Sequence, residues 1–311
     1  MTATFQTAPI SALLMGDESL AIACGDMLLA GGHEIRAVIS HDDAVRDWAQ
    51  GQGLTLCRDA EELFDAPLVV DWLLSMANLR LISGAVLALP ARGAINFHDG
   101  PLPRYAGLNT PAWAIINGEE THGVTWHLIE KGVDTGDILA QRSVEIAADE
   151  TAFSLNSKCY AAGMESFGEV LAQLESGTLA PVPQDLSQRS YYARDKRPEN
   201  GGIIDFTKGA ATVGALVRGL DFGEYWNSLG CAKLVTPAGR VLAVARVEVL
   251  EGQGGAPGEV LAAENDRLTV ASAEGQVAPS GLRDMAGGKV APADGLCAGH
   301  LLPSPPTAIP D

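Results

Sequence analysis

The sequence predicts an α/β protein: an open, mainly parallel sheet wound with helices, followed by a small β-rich domain. Over the first 145 residues, short apolar runs alternate with stretches of helical period, the pattern of β-α-β units. From Ile203 onward the runs become shorter and are broken by Gly, Asp-Arg and Glu-Gly pairs, as in a sandwich or barrel. A chain of 311 residues, 47% hydrophobic, is long enough to fill two such cores.

The elements follow in order. ISALLMG (10–16) reads as a first buried strand, and SLAIACGDMLLAGG (19–32) as a helix closed by glycines. EIRAVIS (34–40) is the next strand, and DDAVRDWAQGQG a short helix. APLVVDWLLS (66–75) holds a continuous apolar run suited to a parallel strand buried on both faces. AVLALP leads into the central strand GAINFH (93–98). TPAWAIING (110–118) reads as a helix with Pro in its first turn and Asn109 or Thr110 as its cap. GVTWHLIE (123–130) and DILAQRSVEI (137–146) alternate like strands, with His127 pointing opposite to Trp126. Residues 151–177 form one long amphipathic helix, capped by Thr151 and ended by Gly177.

These elements divide the chain into a catalytic domain (1–180), a polar linker with three prolines (181–202), a β-rich domain of barrel or OB type (203–295) and a Pro-rich tail (296–311). The tail has no periodicity and reads as the start of a further interdomain linker, as in a piece of a multidomain enzyme. No apolar stretch reaches the ~18 residues of a membrane span. The N-terminus lacks the basic residues of a secretory signal. Cys24, Cys57, Cys159, Cys231 and Cys297 are scattered and odd in number, which fits small buried hydrophobes in a reducing cytoplasm. No His/Cys/carboxylate spacing suggests a metal site.

A net charge of −18 works against a nucleic-acid partner, because binding phosphates needs a basic stripe. Residues 201–311 hold eight Lys/Arg against twelve Asp/Glu, with no basic cluster. A tRNA substrate is therefore disfavoured.

The chemistry concentrates at the end of the strand that reaches INFHDGPLPRYAG (95–107). Asn96 and His98 lie two residues apart and project to one face of that strand, at the carboxyl end where open parallel sheets build their sites. The strand GVTWHLIEKG leads into VDTGD (133–137), which carries Asp134 and Asp137 into a Gly turn; Asp137 reads as a loop cap. An amide donor, an imidazole and a carboxylate suit attack of an amine on a carbonyl. No Ser or Cys nucleophile elbow is present, so direct transfer is favoured over a covalent intermediate.

INFHDGPLPRYAG followed by GVTWHLIEKGVDTGDIL resembles the paired signatures of the 10-formyltetrahydrofolate-dependent formyltransferases. Asn96, His98, Pro101-Leu102-Pro103 with Gly107, and Asp134-Thr135-Gly136-Asp137 match in order and spacing. GAPGEVLAAENDRLTVASAEGQV (255–277) is similar to the family's C-terminal β-domain motif. The resemblance implies a Rossmann-like core and 10-formyltetrahydrofolate as formyl donor. It implies that Asn96 binds the formyl oxygen, that His98 stabilises the tetrahedral intermediate, and that Asp134 pairs with His98 and takes the amine proton. It places the pterin against Arg80, Ile82 and Val133. Pro103, Arg104 and His122 are candidates for substrate contact, with exposed surface the competing reading for Arg104 and a structural role for His122.

Two departures bear on the acceptor. Gly16-Asp17-Glu18-Ser19-Leu20 replaces the usual Gly-Thr/Ser-x-x-Phe turn, and Asp99-Gly100-Pro101-Leu102-Pro103 replaces Ser-Leu-Leu-Pro. The second variant, with LNTPAWAIING after it, looks more like the sugar or peptide-synthetase branches than the tRNA branch. The expectation is a formyltransferase acting on an aminoacyl group held by a carrier protein. A nucleotide-sugar N-formyltransferase, a methionyl-tRNA formyltransferase, a hydrolase of the same donor and a silent docking module stay open.

Overall fold

A computed structural model of the chain describes residues 9–64, 68–264, 267–292 and 294–305. It resolves into two compact units. The first comprises residues 1–110, 121–145 and 157–192; the second comprises 111–120, 146–156 and 193–311.

The first unit is built on β1 (Ser11–Gly16), β2 (Glu34–Ile39), β3 (Leu56–Cys57), β4 (Trp72–Met76) and β5 (Gly93–His98), all mutually parallel. A two-residue strand, β6 (Ala106–Gly107), stands outside this sheet; β7 (Thr121–Leu128) then pairs antiparallel with β5, and β8 (Ile138–Glu145) antiparallel with β7. The order is β3-β2-β1-β4-β5-β7-β8, a Rossmann-like core with an antiparallel flank. The central strands are buried on both faces: every residue of β1 and β4 is inaccessible, which is why they read as unbroken apolar runs.

Helices α1 (Glu18–Ala30), α2 (Asp43–Gly51), α3 (Gly84–Leu87) and most of α5 (Ala152–Ser176) belong to the first unit, and α4 (Thr110–Ile116), but for Thr110, to the second. The Ser154 N–H donates to the Thr151 hydroxyl at the start of α5, and Gly177, at φ +65°, ends it. Gly163 of α5 lets the Phe97 ring approach so closely that a Cβ there would sit 2.5 Å from it.

The apolar run expected as a strand over 66–75 divides in two, and residues 65–67 lie outside the described part. Val69 is 80% exposed, and Asp71 accepts hydrogen bonds at 2.8 Å from both the Ser11 N–H and hydroxyl. Pairing with β1 then begins at Trp72. At the C-terminal end of β1, the Asp17 carboxylate accepts from the Ser40 hydroxyl (2.9 Å), His41 N–H (3.0 Å) and Asp42 N–H (3.3 Å), and faces Arg80 at 3.4 Å.

The stretch anticipated as a linker from residue 181 is engaged with the first unit in its first half. Val182 pairs with Ile138, and β9 (Tyr191–Tyr192) runs parallel to β6.

The second unit holds α6 (Ala210–Gly219) and two antiparallel sheets. One is formed by β10 (Ala232–Val235), β11 (Val241–Val244) and, later in the chain, β16 (Arg283–Asp284). The other has the order β12-β15-β14-β13, with β12 Arg246–Leu250, β13 Val260–Ala263, β14 Leu268–Ala271 and β15 Gln276–Ser280. Only Ala245 separates β11 from β12, so the chain passes directly from one sheet to the other, as the expected β-rich domain would. Much of the stretch expected as a tail folds back here. Leu302 is buried, its N–H donates to the Gly258 carbonyl, and the Phe206 N–H donates to the Ser304 hydroxyl. Residues 306–311 lie outside the described part.

None of the five cysteines forms a disulfide. Cys24, Cys57 and Cys159 are buried as expected, but Cys297 is exposed, with His300 Nε2 3.2 Å from its sulfur. The expectation of a buried hydrophobe fails at Cys297 and holds only in part at Cys231, which is half-buried.

Candidate active site

Strand β5 delivers Asn96 and His98 at its carboxyl end. His98 is buried, and its Nε2 lies 2.7 Å from the Tyr105 carbonyl. A carbonyl oxygen only accepts, so Nε2 carries the proton and Nδ1 is the nitrogen left for chemistry. Nδ1 stands 3.7 Å from Asp134 Oδ2 and 3.7 Å from Asp99 Oδ1.

Asn96 is oriented from behind. Its Oδ1 accepts from the Ser75 hydroxyl at 2.8 Å, which settles which end of the amide carries the N–H groups. One of them lies 3.3 Å from His127 Nε2, leaving a second to donate elsewhere. His127 Nδ1 donates to the Leu128 carbonyl at 2.8 Å, so Nε2 is the nitrogen that faces Asn96 and Asp134.

Asp134 closes the arrangement from the turn after β7. It is a non-glycine residue at φ +53°, with its side chain only 12% exposed. Oδ2 accepts the Gly107 N–H at 2.9 Å, and Oδ1 lies 3.6 Å from His127 Nε2. Burial alone would push this carboxyl up. His98, His127 and the Gly107 N–H outweigh it and hold the group well below the ordinary carboxylate range. Asp134 is therefore a fixed negative charge between two imidazoles.

The predicted trio converges on one place. The sequence reading missed His127, which it oriented correctly relative to Trp126 without seeing what it faced. Because β7 runs antiparallel to β5, Asn96 stands directly opposite His127 and His98 opposite Thr125. Thr125 completes the floor: its hydroxyl donates to the Gly100 carbonyl (2.7 Å) and accepts from the Leu102 N–H (3.2 Å) and Gln141 Nε2 (2.9 Å). The period-2 alternation carries the facing of His127; only the strand direction was illegible.

The other candidates fall in varied places. Val133 directly precedes Asp134 and is half-exposed. Arg80 is in the loop after β4, held by Asp17, and Ile82 packs against the core of the first unit. From that loop the apolar groups turned outward are Leu79 (66% exposed) and Leu81 (88%), which the sequence reading did not single out. Since β4 pairs with β5 at Ser75 and Asn96, this loop emerges beside the carboxyl end that carries the trio. Pro103 and the exposed Arg104 lie in the loop that includes Tyr105, with the Arg104 guanidinium 5.4 Å from the Tyr105 ring centre. His122 is not brought into the cluster. It is buried, and its Nε2 donates to the Asp99 carbonyl at 2.7 Å.

Among the described residues no group of three His, Cys, Asp or Glu could hold a metal ion, and no helix is long and apolar enough to cross a membrane.

Comparison with known proteins agrees with this geometry. Residues 60–171 match the family described as formyl transferase, and residues 197–301 match its C-terminal domain. The methionyl-tRNA formyltransferase of Citrifermentans bemidjiense is 35% identical over 232 residues, covering 75% of this chain and 70% of that one. That of Anaeromyxobacter sp. (strain K) is 32% identical over 280 residues, covering 84% and 85%. Two solved folds are similar at a TM-score of 0.71 and 18% identity. One is the sugar 3N-formyl transferase WlaRD, solved with dTDP and 5-N-formyl-THF, with 88% of this chain and 98% of that one covered. The other is an N-formyltransferase from Helicobacter canadensis in complex with folinic acid and dTDP-3-aminofucose, with 89% and 100% covered. With both halves matched and curated relatives above 30% identity, the chain belongs to the 10-formyltetrahydrofolate-dependent formyltransferase family.

Proposed function

We propose that the chain transfers the formyl group of 10-formyltetrahydrofolate directly to a primary amine, and that the amine is an aminoacyl group presented by a carrier protein. The amine nitrogen attacks the formyl carbon. The free N–H of Asn96 and a protonated Nδ1 of His98 stabilise the oxygen as it gains negative charge. Asp134, anionic beside both rings, stabilises the positive charge that develops on the attacking nitrogen, whose proton passes to the departing folate nitrogen as its bond to carbon breaks. The exposed apolar groups Leu79, Leu81 and Val133 suit the flat pterin ring, and Arg80 and Ile82 bracket Leu81 in the same loop. Pro103 and Arg104, on the loop after His98, are placed to meet the acceptor.

The observation that carries the chemistry is His98 Nδ1 facing the buried Asp134 carboxylate at 3.7 Å while its other nitrogen is committed to backbone. The net charge of −18 and the Asp99–Pro103 loop variant, which looks more like the sugar or peptide-synthetase branches, support an acceptor other than tRNA. A nucleotide-linked amino sugar is the second reading, favoured by the likeness over the whole length of the Helicobacter canadensis enzyme solved with dTDP-3-aminofucose.

The test is formyl transfer from labelled 10-formyltetrahydrofolate to three acceptors in parallel, with formate release measured in their absence. The acceptors are an aminoacyl carrier protein, a dTDP-linked amino sugar and methionyl-tRNA. Label on the carrier-bound amine is expected. Preferential label on the tRNA, or formate release as fast as any transfer, would overturn the reading.

A further inference from the structure

The segment after α5 has the composition of a tether, yet its residues touch both loops of the site. Val182 exchanges two backbone hydrogen bonds with Ile138 (2.8 and 2.9 Å), at the foot of the Asp134 turn. Gln184 Nε2 donates to the carbonyls of Asp134 (3.1 Å) and Gly136 (2.6 Å). Arg189 Nη2 donates to the Val133 carbonyl (3.0 Å), with its guanidinium 4.6 Å from the Tyr191 ring centre. Three hydrogen bonds and a ring stack then grip the other loop. The Ser190 hydroxyl accepts the Tyr105 N–H (2.8 Å) and the Ser190 carbonyl accepts the Ala106 N–H (2.9 Å). The Tyr192 carbonyl accepts the Leu108 N–H (2.9 Å), and the rings of Tyr105 and Tyr192 stack with centres 5.3 Å apart.

The grip matters because both reacting side chains are tied to residues 105–107. His98 is anchored on the Tyr105 carbonyl, and Asp134 on the Gly107 N–H. Further features point to positioning rather than to simple packing. Asp134 holds a left-handed conformation disfavoured for a non-glycine residue, and such strain persists only where the surroundings over-determine it. The carbonyls of Val133, Asp134 and Gly136 are each held by this segment. Gln184 also leaves its Oε1 buried without a hydrogen-bond partner, a cost accepted for the two bonds its amide N–H group donates.

We propose that residues 182–192 are the positioning element of the catalytic centre, and that Gln184 and Arg189 are positioning residues that fix Asp134 relative to His98. The proposal rests on the reading that Asp134 is catalytic. Displacement of a reacting group by about 1 Å costs on the order of 100-fold in rate.

Gln184→Leu removes the donor while keeping the bulk. In the full chain, kcat for formyl transfer from 10-formyltetrahydrofolate is expected to fall by roughly 10- to 100-fold. The Kd for folinic acid, measured by calorimetry, should stay within about threefold, because the pterin does not depend on the carboxylate. Hydrogen exchange at the amides of 105–108 and 133–137 should quicken. Arg189→Met should shift the same readouts in the same direction, and Arg189→Lys, which can still donate to the Val133 carbonyl, should restore them. This second pair carries the test if Gln184→Leu fails to fold.

Unchanged exchange, or faster exchange with unchanged kcat, overturns the proposal. Failure of the underlying reading looks different: either the parent does not turn over, or Asp134→Asn turns over like the parent. The exchange data then still report whether the segment holds the two loops.

Discussion

Two imidazoles flank one carboxylate in this site, and the distances assign them different work. His98 has Nε2 committed to a carbonyl and Nδ1 facing Asp134; His127 has Nδ1 committed and Nε2 facing both Asn96 and Asp134. Asp134→Asn keeps the volume and removes the charge, so turnover is expected to fall at least about 1000-fold with folinic acid affinity nearly intact. Single-turnover kinetics beside calorimetry check this. The pH dependence follows from the sign of the shift. The carboxyl is held below its unfolded value, so it is ionised, and stabilising, at all pH values above the ordinary carboxylate range; that stabilisation is lost only as pH falls below it. The Asp134 carboxylate therefore contributes no limb to the activity profile between about pH 5 and 8. His127→Gln keeps a polar group opposite Asn96 but removes the ring beside Asp134. It is expected to lower kcat, read from single-turnover kinetics, while Asp134→Asn lowers the profile of kcat/KM against pH without changing its shape. The trio was legible because three residue types in a fixed order carry the chemistry. The orphaned Oε1 of Gln184 and the anchor on Gly107 were not, since neither leaves a pattern along the chain.

At the level of elements, the legible features were those with a period or a punctuation mark. Helix α5 begins at its Thr cap and ends at its Gly, and β1 and β5 begin within a residue of where the apolar pattern starts. Direction was illegible: β7 and β8 alternate equally well parallel or antiparallel, and only pairing puts His127 opposite Asn96. Length failed where a polar residue interrupted an apolar run, as Asp71 does before β4. The packing of α5 on β5 gives a test. Gly163→Val places carbon atoms against the ring of Phe97, which is buried between Asn96 and His98 in sequence and lies with its centre 5.2 Å from that of Trp126. Overpacking of this kind costs about 1–3 kcal/mol. A lower Tm by thermal denaturation and a reduced kcat are both expected, because the displaced ring sits on the strand that aims the two catalytic side chains.

Over the whole molecule, composition told the class of fold and the sign of the charge but not how the second half of the chain is arranged. Strand-to-sheet transfer at Ala245 and the return of Leu302 beside Gly258 depend on contacts between residues far apart in sequence. Burial makes a global prediction that is simple to measure. Of the five thiols, Cys297 should react first with a chromogenic disulfide reagent and the half-buried Cys231 more slowly, while Cys24, Cys57 and Cys159 should wait for denaturant. Burial also pushes the Cys24 thiol far above its ordinary range, which adds a chemical barrier to the steric one. Thiol titration in native buffer and in guanidinium would check the order.

The Asp17 carboxylate has one further consequence. In doubly wound sheets the strand order reverses at a crevice, here between β1 and β4, where a helix start commonly welcomes a phosphate. This chain places its own anion at that crevice, the Asp17 carboxylate, turned to Ser40, His41 and Asp42 and not to the first amides of α1. A phosphate brought to the same crevice would meet that negative charge, and the working end lies two strands along, where the sheet changes direction.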